Sequence, residues 1–344
     1  MPGTSDLSEA KRALLEKYLR GEVVQVASPS TGNASPKSRT ATETMNARAP
    51  IVAVQAAGSK RPFFFLHGDW LRGAFFCFPL SYNLGADQPF YILHPYKLAD
   101  LETLPTIEAM AAEHLSVIRT IQPEGPYLLG GFCNGALLAH EMALQLNAQG
   151  QKVDLLVMMD PMEPVPPPKR KFTYRVIRRV GTRLHINPRR QLDGFLFLRY
   201  VDRYLRHIYR YLRYPHYRKL IEQQRSDERI ELLHLVYPRF TTLCPSSREL
   251  RKDYEDTFNW IACEYTPGLY SGKCTVFWNS EEPFHSFRRQ QWRERMKEKG
   301  EKDVDMHIIA GSHSTCKTDH LHDMARHLSL CLKQMEASVF GSRQ

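Results

Sequence analysis

The length, composition and charge of the chain are those of an ordinary globular protein. Its 344 residues are 42% hydrophobic and 24% charged, which suits one large domain or one domain that carries an insertion. The formal net charge of +10 favours an acidic partner. Seven cysteines without a CxxC pair argue against a disulfide framework and against a zinc ribbon. The sequence has neither a secretion signal nor an apolar run near the roughly 20 residues of a membrane span, so we expect a cytoplasmic protein.

The first 49 residues predict a segment that precedes the main domain. Residues 1–22 have the pattern of a short amphipathic helix, with Ser8 as its N-cap and Gly21 as its end. Residues 23–49 are rich in Ser, Thr, Pro, Asn and Ala, which is the composition of a flexible linker. We therefore predict that the folded domain covers residues 50–344.

Beyond residue 50, short apolar runs alternate with helix-length segments. The predicted strands are Ile51–Gln55, Phe63–His67, Phe90–His94, Tyr127–Phe132, Val153–Met159, Thr275–Trp278 and Met306–Ile309. The clearest helix, Asn134–Ala148, directly follows a strand and is ended by Gly150. This alternation predicts an α/β domain with a mainly parallel, doubly wound sheet.

The alternation stops between about residues 164 and 270, where helical sequence rich in Arg and Tyr replaces it. A helical block of that size between two strands predicts an insertion that packs as a lid above the strand ends. Within it, apolar residues recur at steps of three and four: Leu198, Val201, Leu205, Ile208 and Leu212. Arginines fall between them: Arg199, Arg203, Arg206, Arg210 and Arg213. We expect the apolar stripe to face the domain and the arginines to face water, with a surface for an acidic partner as the alternative.

The segment Gly131-Phe132-Cys133-Asn134-Gly135 carries the strongest functional signal. A strand leads into it and a helix follows, which is the context of a nucleophile elbow, a motif that normally has serine at its centre. Glycine is needed on both sides because a side chain there would clash with the neighbouring strand and helix. The positive end of the helix dipole favours the thiolate form of Cys133, which is the attacking species. The alternative is a structural cysteine in a chance glycine-rich turn.

An elbow of this type should be followed along the chain by an acid and then by a histidine. Asp160 ends the strand after the elbow helix, and His313 follows the last predicted strand in a Gly-Ser-His loop. We predict that His313 is the general base and that Asp160 orients its ring. Glu281 or Glu282, after the strand at residues 275–278, is the alternative acid. The other histidines compete by residue type only: His307, His320, His322 and His327.

Two backbone amides are the predicted oxyanion hole. One belongs to Asn134, the residue after the nucleophile, and the other to the loop after the second strand, where Gly68 permits the turn and Asp69 provides the N–H. No metal is predicted, although His313, Cys316 and His320 remain a possible ligand set.

Together these residues resemble the thioesterase domains that end non-ribosomal peptide synthetase and polyketide synthase assembly lines, which have the α/β-hydrolase fold. The resemblance covers roughly residues 50–332, and the N-terminal helix is similar to linker sequence in such synthetases. In that family the acid that follows the strand after the elbow helix matches Asp160, and the terminal Gly-x-His matches Gly311-Ser312-His313. Cys133 replaces the usual serine, and the predicted lid is longer and more basic than is typical of the family.

The resemblance implies acyl transfer through a thioester, with no bound cofactor. The acyl or peptidyl group would arrive on the phosphopantetheine arm of an acidic carrier protein, pass to Cys133, and leave on water, an amine or a hydroxyl. Because amines attack thioesters in preference to water, we expect an amine or an internal nucleophile as the acceptor. Neither a nucleic acid nor a membrane is expected as a partner.

Two other functions fit the sequence. One is a proofreading hydrolase that removes wrong acyl groups from carrier proteins, and it would share the same site. The other is a non-catalytic module, a decayed hydrolase whose basic lid binds RNA, a membrane or a carrier protein.

Overall fold

The computed structural model of the chain describes residues 51–68, 73–96, 98–215, 245–281, 287–297 and 304–341. The predicted N-terminal helix at residues 1–22 and the predicted linker at residues 23–49 lie outside these ranges. The first described residue, Ile51, begins a strand.

Seven strands of the described residues form a single sheet. They are β1 (Ile51–Gln55), β2 (Phe63–Leu66), β3 (Phe90–Leu93), β4 (Tyr127–Phe132), β5 (Val153–Met159), β6 (Cys274–Asn279) and β7 (Val304–Ile309). Their order is β1-β3-β2-β4-β5-β6-β7, with β1 antiparallel to β3 and every other neighbouring pair parallel. The predicted mainly parallel sheet is confirmed. The last two strands begin earlier than predicted because Cys274 pairs with Val304.

Helices connect these strands. Those of the described residues are α1 (Cys77–Leu84), α2 (Ile107–Arg119), α3 (Asn134–Ala148), α4 (Pro168–Arg183), α5 (Pro188–Arg213), α6 (Ser247–Arg251), α7 (Tyr254–Ala262), α8 (Phe287–Lys297) and α9 (Leu321–Gly341). Short 3₁₀ turns lie at Leu98–Asp100 and Thr315–Lys317. None of the described helices has both the length and the apolar character that crossing a membrane requires.

The sheet is buried on both faces, which is why its strands are continuous apolar runs. Along β2, Phe64 packs into a cluster with residues of α2 and α3. Its neighbours Phe63 and Phe65 point to the opposite face, where the cluster includes residues of α1 and α9. Every residue of the central strand β4 is buried. The carboxyl ends of β2, β4, β5, β6 and β7 therefore meet at one edge, fixed by a core on each side.

Helices α4 to α7 lie between β5 and β6, in the segment where the sequence predicts a lid. The expected orientation of the long helix α5 was wrong. Its predicted inward residues Leu198, Leu205 and Leu212 are 48%, 58% and 69% exposed. The residues that α5 buries are Leu192, Phe195 and Leu196, nearer its N-terminus.

Ion pairs explain why two arginines of α5, Arg199 and Arg203, point inward. Asp256, in the first turn of α7, is 1% exposed and pairs with Arg199 at 2.9 Å and with Arg203 at 2.8 Å. Arg203 also pairs with Asp253, the N-cap of α7. A buried carboxylate requires a cation, so these contacts turn Arg199 and Arg203 toward α7, while the other three arginines of the predicted face are exposed, as expected.

This interpretation predicts that the Asp256→Asn variant loses about 2–3 kcal/mol of unfolding free energy, since it leaves two partly buried arginines without their shared anion. Urea denaturation measures the loss. Asp202→Asn is the matched control, because Asp202 pairs with Lys169 and Arg206 on the more exposed side of the same helix. Its loss should stay below about 1 kcal/mol. Equal losses in the two variants would contradict the interpretation.

Candidate active site

The chain makes a strand–turn–helix turn at Cys133, as the sequence predicts. Cys133 lies between β4 and α3 with φ 53° and ψ −118°, a conformation that non-glycine residues rarely adopt. Its N–H donates to the carbonyl of Met159 at 3.0 Å, and its carbonyl accepts from Ala136 N–H at 3.1 Å. The strained turn is thus held by the neighbouring strand on one side and by the helix on the other.

Close packing explains the two glycines of the elbow. A Cβ atom on Gly131 would lie 2.3 Å from the carbonyl oxygen of Gly135, and one on Gly135 would lie 2.1 Å from the carbonyl oxygen of Leu66. Neither distance is compatible with a side chain. The need for glycine on both sides of the motif is therefore confirmed.

Cys133 is half-buried at the first turn of α3. Its Sγ lies 3.5 Å from Oδ1 of Asn134, and it also forms a hydrogen bond with the ring of His313. The other described cysteines are all buried: Cys77, Cys263, Cys274, Cys316 and Cys331. Among the described thiols, Cys133 is therefore the one with the best access to solvent.

Asp160 follows β5 and also has a left-handed backbone, with φ 41°. Its N–H donates to the carbonyl of Phe277 at 2.7 Å, which directs the side chain to the edge beside the elbow. The carboxylate is fully buried, and its Oδ2 contacts Nδ1 of His313. Burial raises the pKa of Asp160, but the hydrogen bond and charge of His313, together with the charge of Arg288, outweigh it and hold this pKa below 3.8.

His313 lies in the loop after β7, with its ring 4.8 Å from the ring centroid of Phe132 and 44% of its side chain exposed. Burial lowers the pKa of His313. The negative charge of Cys133, the hydrogen bond with Asp160, the hydrogen bond with Cys133 and the charge of Asp160 outweigh that effect and raise the pKa to about 10. The imidazole thus lies between the Cys133 sulfur and the Asp160 carboxylate, and its protonated form is favoured.

The competing residues that the structure describes have other surroundings. Glu281 is exposed, and its backbone N–H donates to the carbonyl of Gly311 at 3.2 Å; Glu282 lies outside the described residues. His307 contacts His327, with 3.1 Å between their Nδ1 atoms. His320 and His322 are exposed on the turn and helix that follow.

The predicted oxyanion hole is only partly within the described residues. Gly68 has φ 57°, and a Cβ atom on it would lie 2.0 Å from the carbonyl oxygen of Phe132, so its backbone lies against the elbow. Asn134 begins α3 next to Cys133. Asp69 lies outside the described residues, so the pair of donors stays a prediction.

No described group of three or more His, Cys, Asp or Glu side chains is arranged to hold a metal ion. Cys316, one of the possible ligands in the sequence, is buried with its Sγ 3.5 Å from the carbonyl of His313.

Sequence reasoning missed Arg288, the second charged partner of Asp160. Its guanidinium Nη2 lies 2.9 Å from Oδ1 of Asp160. Arg288 is one of 47 basic residues and follows no motif or spacing rule. A sequence signal for this contact does not exist, because 128 residues separate the two partners.

Comparison with known proteins identifies the family. The family model of the thioesterase domain matches residues 83–331, well over half of the chain. The chain belongs to the thioesterase domain family. Two solved thioesterase domains share its fold, which confirms the α/β-hydrolase prediction. One is the NocB domain in covalent complex with a fluorophosphonate nocardicin G analog, with a TM-score of 0.50 and 18% sequence identity; the match covers 82% of this chain and 99% of that one. The other is the Vlm2 domain bound with a dodecadepsipeptide, with a TM-score of 0.51 and 13% identity; the match covers 81% of this chain and 97% of that one.

Curated relatives of this thioesterase domain are large synthases. A dimodular nonribosomal peptide synthase of Bacillus subtilis is 39% identical over 112 residues, which are 32% of this chain and 5% of that protein. The polyketide synthase PksR of the same organism is 37% identical over 101 residues, 29% of this chain and 4% of that protein. The thioesterase domain therefore matches only a small part of the length of these relatives.

The site geometry predicts how Cys133 reacts after His313→Ala. Without the imidazolium, the thiolate loses its counter-charge, and alkylation of Cys133 by iodoacetamide near pH 6.5 should slow by about tenfold or more. Mass spectrometry of the labelled peptide measures the rate. His307→Ala is the control and should leave the rate unchanged, because His307 contacts His327 and Asp305 instead. If His313→Ala is labelled as fast as the wild type, the pairing of thiolate and imidazolium is wrong.

Proposed function

We propose that this thioesterase domain takes an acyl or peptidyl group from the phosphopantetheine thioester of a carrier protein onto Cys133 and releases it to an amine, an internal nucleophile or water. The observation that carries the proposal is the contact chain from the Cys133 thiol to the His313 ring and on to the buried Asp160 carboxylate. Membership of the thioesterase family, whose curated relatives include peptide and polyketide synthases, supports the substrate class.

The first half-reaction loads the cysteine. The thiolate of Cys133 attacks the carbonyl carbon of the carrier thioester, forming a new carbon–sulfur bond while the bond to the pantetheine sulfur breaks. His313 donates its proton to the departing pantetheine thiolate. The backbone N–H groups of Asn134 and Asp69 are the expected donors to the carbonyl oxygen, on which negative charge develops.

The second half-reaction releases the product. His313, now neutral, accepts a proton from the acceptor as its nitrogen or oxygen attacks the acyl carbon, and the bond to the Cys133 sulfur breaks. Loading exchanges one thioester for another and is close to thermoneutral. Since a thioester reacts with amines in preference to water, cysteine in place of serine favours aminolysis or cyclisation over hydrolysis.

A basic cavity in the lid supports an acidic carrier as the donor. The cavity has a volume of about 420 Å³ and is lined by Ala99, Arg189, Arg248, Arg251 and Lys252. Arg251 pairs with Asp193 at 2.6 Å, and the charge of Lys252 acts on Glu249. Arg189 and Arg248 form no ion pair with a carboxylate in the described part of the chain. Unpaired cations near the lid suit the phosphate of the pantetheine arm and the acidic surface of a carrier protein.

The position of the cavity fits that use. Ala99 lies on the 3₁₀ turn that follows β3, so the cavity is at the same edge of the sheet as the elbow. Strand β3 is two places from β4 in the sheet, a lateral distance of roughly 10 Å. An extended phosphopantetheine arm spans roughly 16 Å from phosphorus to sulfur, the length of about five extended residues.

The loading step predicts a covalent intermediate. After incubation with acyl-loaded carrier protein, the intact mass of the wild type should rise by the mass of the acyl group, while Cys133→Ala should show no increase. Cys133→Ser should still form an ester, yet it should lose aminolysis to a greater extent than hydrolysis when amines are added. An unmodified wild-type mass with unchanged turnover in Cys133→Ala would contradict the proposal. If the wild type hydrolyses the acyl-loaded carrier protein rapidly and transfers the acyl group to none of the added amines, the alternative function of a proofreading hydrolase is favoured.

If the basic cavity binds the phosphate of the pantetheine arm, its arginines should raise kcat/KM only for substrates that carry this phosphate. Replacing Arg189 and Arg248 by Gln should lower kcat/KM for acyl-phosphopantetheine by about two- to fivefold for each residue, because such exposed contacts are weak. Turnover of acyl-pantetheine, which lacks the phosphate, should not change. Arg206→Gln is the control, since Arg206 pairs with Asp202 on the lid and does not line the cavity. Equal losses on both substrates would contradict the phosphate contact.

A further inference from the structure

Two cations contact the carboxylate of Asp160, one at each oxygen. His313 reaches Oδ2, and Nη2 of Arg288 lies 2.9 Å from Oδ1. The arginine N–H is not aligned on that oxygen, so the attraction is mainly Coulombic. Nη1 of the same guanidinium lies 3.3 Å from the carbonyl of Pro161, to which it donates a hydrogen bond. Arg288 thus holds both the side chain of Asp160 and the backbone that follows it.

Helix α8 keeps this guanidinium in place. Cζ of Arg288 lies 5.6 Å from the ring centroid of Trp278, within the range of a cation–π contact. The next residue, Arg289, donates to the carbonyl of Asn279 at 2.5 Å, and Nε1 of Trp292 donates to the carbonyl of Met162 at 2.8 Å. The helix is therefore fastened to the segments after both β5 and β6.

We propose that Arg288 is a positioning residue of this site, whose charge keeps the Asp160 carboxylate ionised and directed at His313 in acidic solution. The inference rests on the proposed role of Cys133 and is independent of which acyl group it carries. Arg288 contacts no reacting atom, so its effect passes through Asp160.

The electrostatic reason is the burial of Asp160. A carboxylate without contact to water takes up a proton readily unless cations compensate for the lost hydration. In the wild type the pKa of Asp160 is lowered, so the carboxylate stays ionised at a pH where an ordinary aspartate begins to take up a proton. It is lost only as the pH falls further. Without Arg288, one of two compensating charges is gone and protonation occurs at higher pH. A protonated Asp160 no longer holds the His313 ring by a charge-assisted hydrogen bond, so the ring is no longer oriented toward the Cys133 sulfur.

Other charged groups near this cluster do not replace Arg288. Nζ of Lys317 lies 4.8 Å from the ring centroid of Phe132, on which His313 stacks. Glu163 follows Asp160 by three residues, and Glu281 lies in the loop bonded to Gly311. Within the described residues, the cations that pair with the Asp160 carboxylate are His313 and Arg288.

The test compares thiol reactivity in acid and at neutrality. The rate at which 2,2′-dipyridyl disulfide labels Cys133 is measured at about pH 4.5, just above the ordinary aspartate pKa of about 3.9, and at about pH 7. Labelling of Cys133→Ser supplies the background of the remaining cysteines. In Arg288→Met the ratio of the acid rate to the neutral rate should fall at least about threefold. Arg288→Lys keeps the charge but lacks the planar guanidinium with its several N–H donors, and its ratio should be close to that of the wild type.

Arg289→Met is the matched control. It removes a cation from the same helix and from the same Trp278 ring without touching Asp160, so it should lower the melting temperature and leave the ratio unchanged. If Arg288→Met does not fold, as judged by circular dichroism, Arg288→Gln carries the same comparison because it keeps hydrogen-bond donors without the charge. The inference is overturned if a folded Arg288→Met or Arg288→Gln keeps the wild-type ratio of acid rate to neutral rate. It is also overturned if Arg289→Met lowers that ratio as much as the Arg288 variants do. If Cys133 is not the labelled thiol in the wild type, the proposed function itself is wrong.

Discussion

A carboxylate sealed from solvent is the constraint on which this domain's functional edge depends. Asp160 exposes none of its surface, and a desolvated charge persists in a protein only when it is paired. Its partners His313 and Arg288 come from segments more than a hundred residues further along the chain. The protonation state of a group at the end of β5 is therefore set by the correct folding of the C-terminal third of the chain.

Backbone strain at the same edge is supported by the sheet. Cys133 and Asp160 follow adjacent strands, and both have left-handed φ angles, which cost about 1–3 kcal/mol each in a non-glycine residue. The N–H of Cys133 bonds to β5, and the N–H of Asp160 bonds to β6. These two hydrogen bonds connect three neighbouring strands across the site. The reactive groups are consequently held by the rigid core.

The parts of the site that follow local rules could be predicted from the sequence. The elbow needs glycine at fixed steps around Cys133, and the close contacts of Gly131 and Gly135 explain why. Asp160 and His313 could be placed because the carboxyl ends of parallel strands meet at one edge, whatever the length of chain between them.

Contacts between distant segments could not be predicted. Arg199 and Arg203 of α5 turn inward because of Asp253 and Asp256, which lie about fifty residues further on. A periodic apolar stripe predicts that a helix has two different faces, yet it does not reveal that the other face meets buried carboxylates. Arg288 was missed for the same reason, since one arginine among many has no pattern that marks its partner.

The pairing of thiolate and imidazolium is the central feature, and its most direct measurement is the ultraviolet absorbance of the thiolate. The difference in absorbance between the wild type and Cys133→Ser is followed from acid to alkaline solution. The helix N-terminus and the neighbouring imidazolium both favour the anion, so a thiolate signal is expected at neutral pH. A signal that develops only in alkaline solution, as in a free cysteine, would contradict the ion pair and the mechanism built on it.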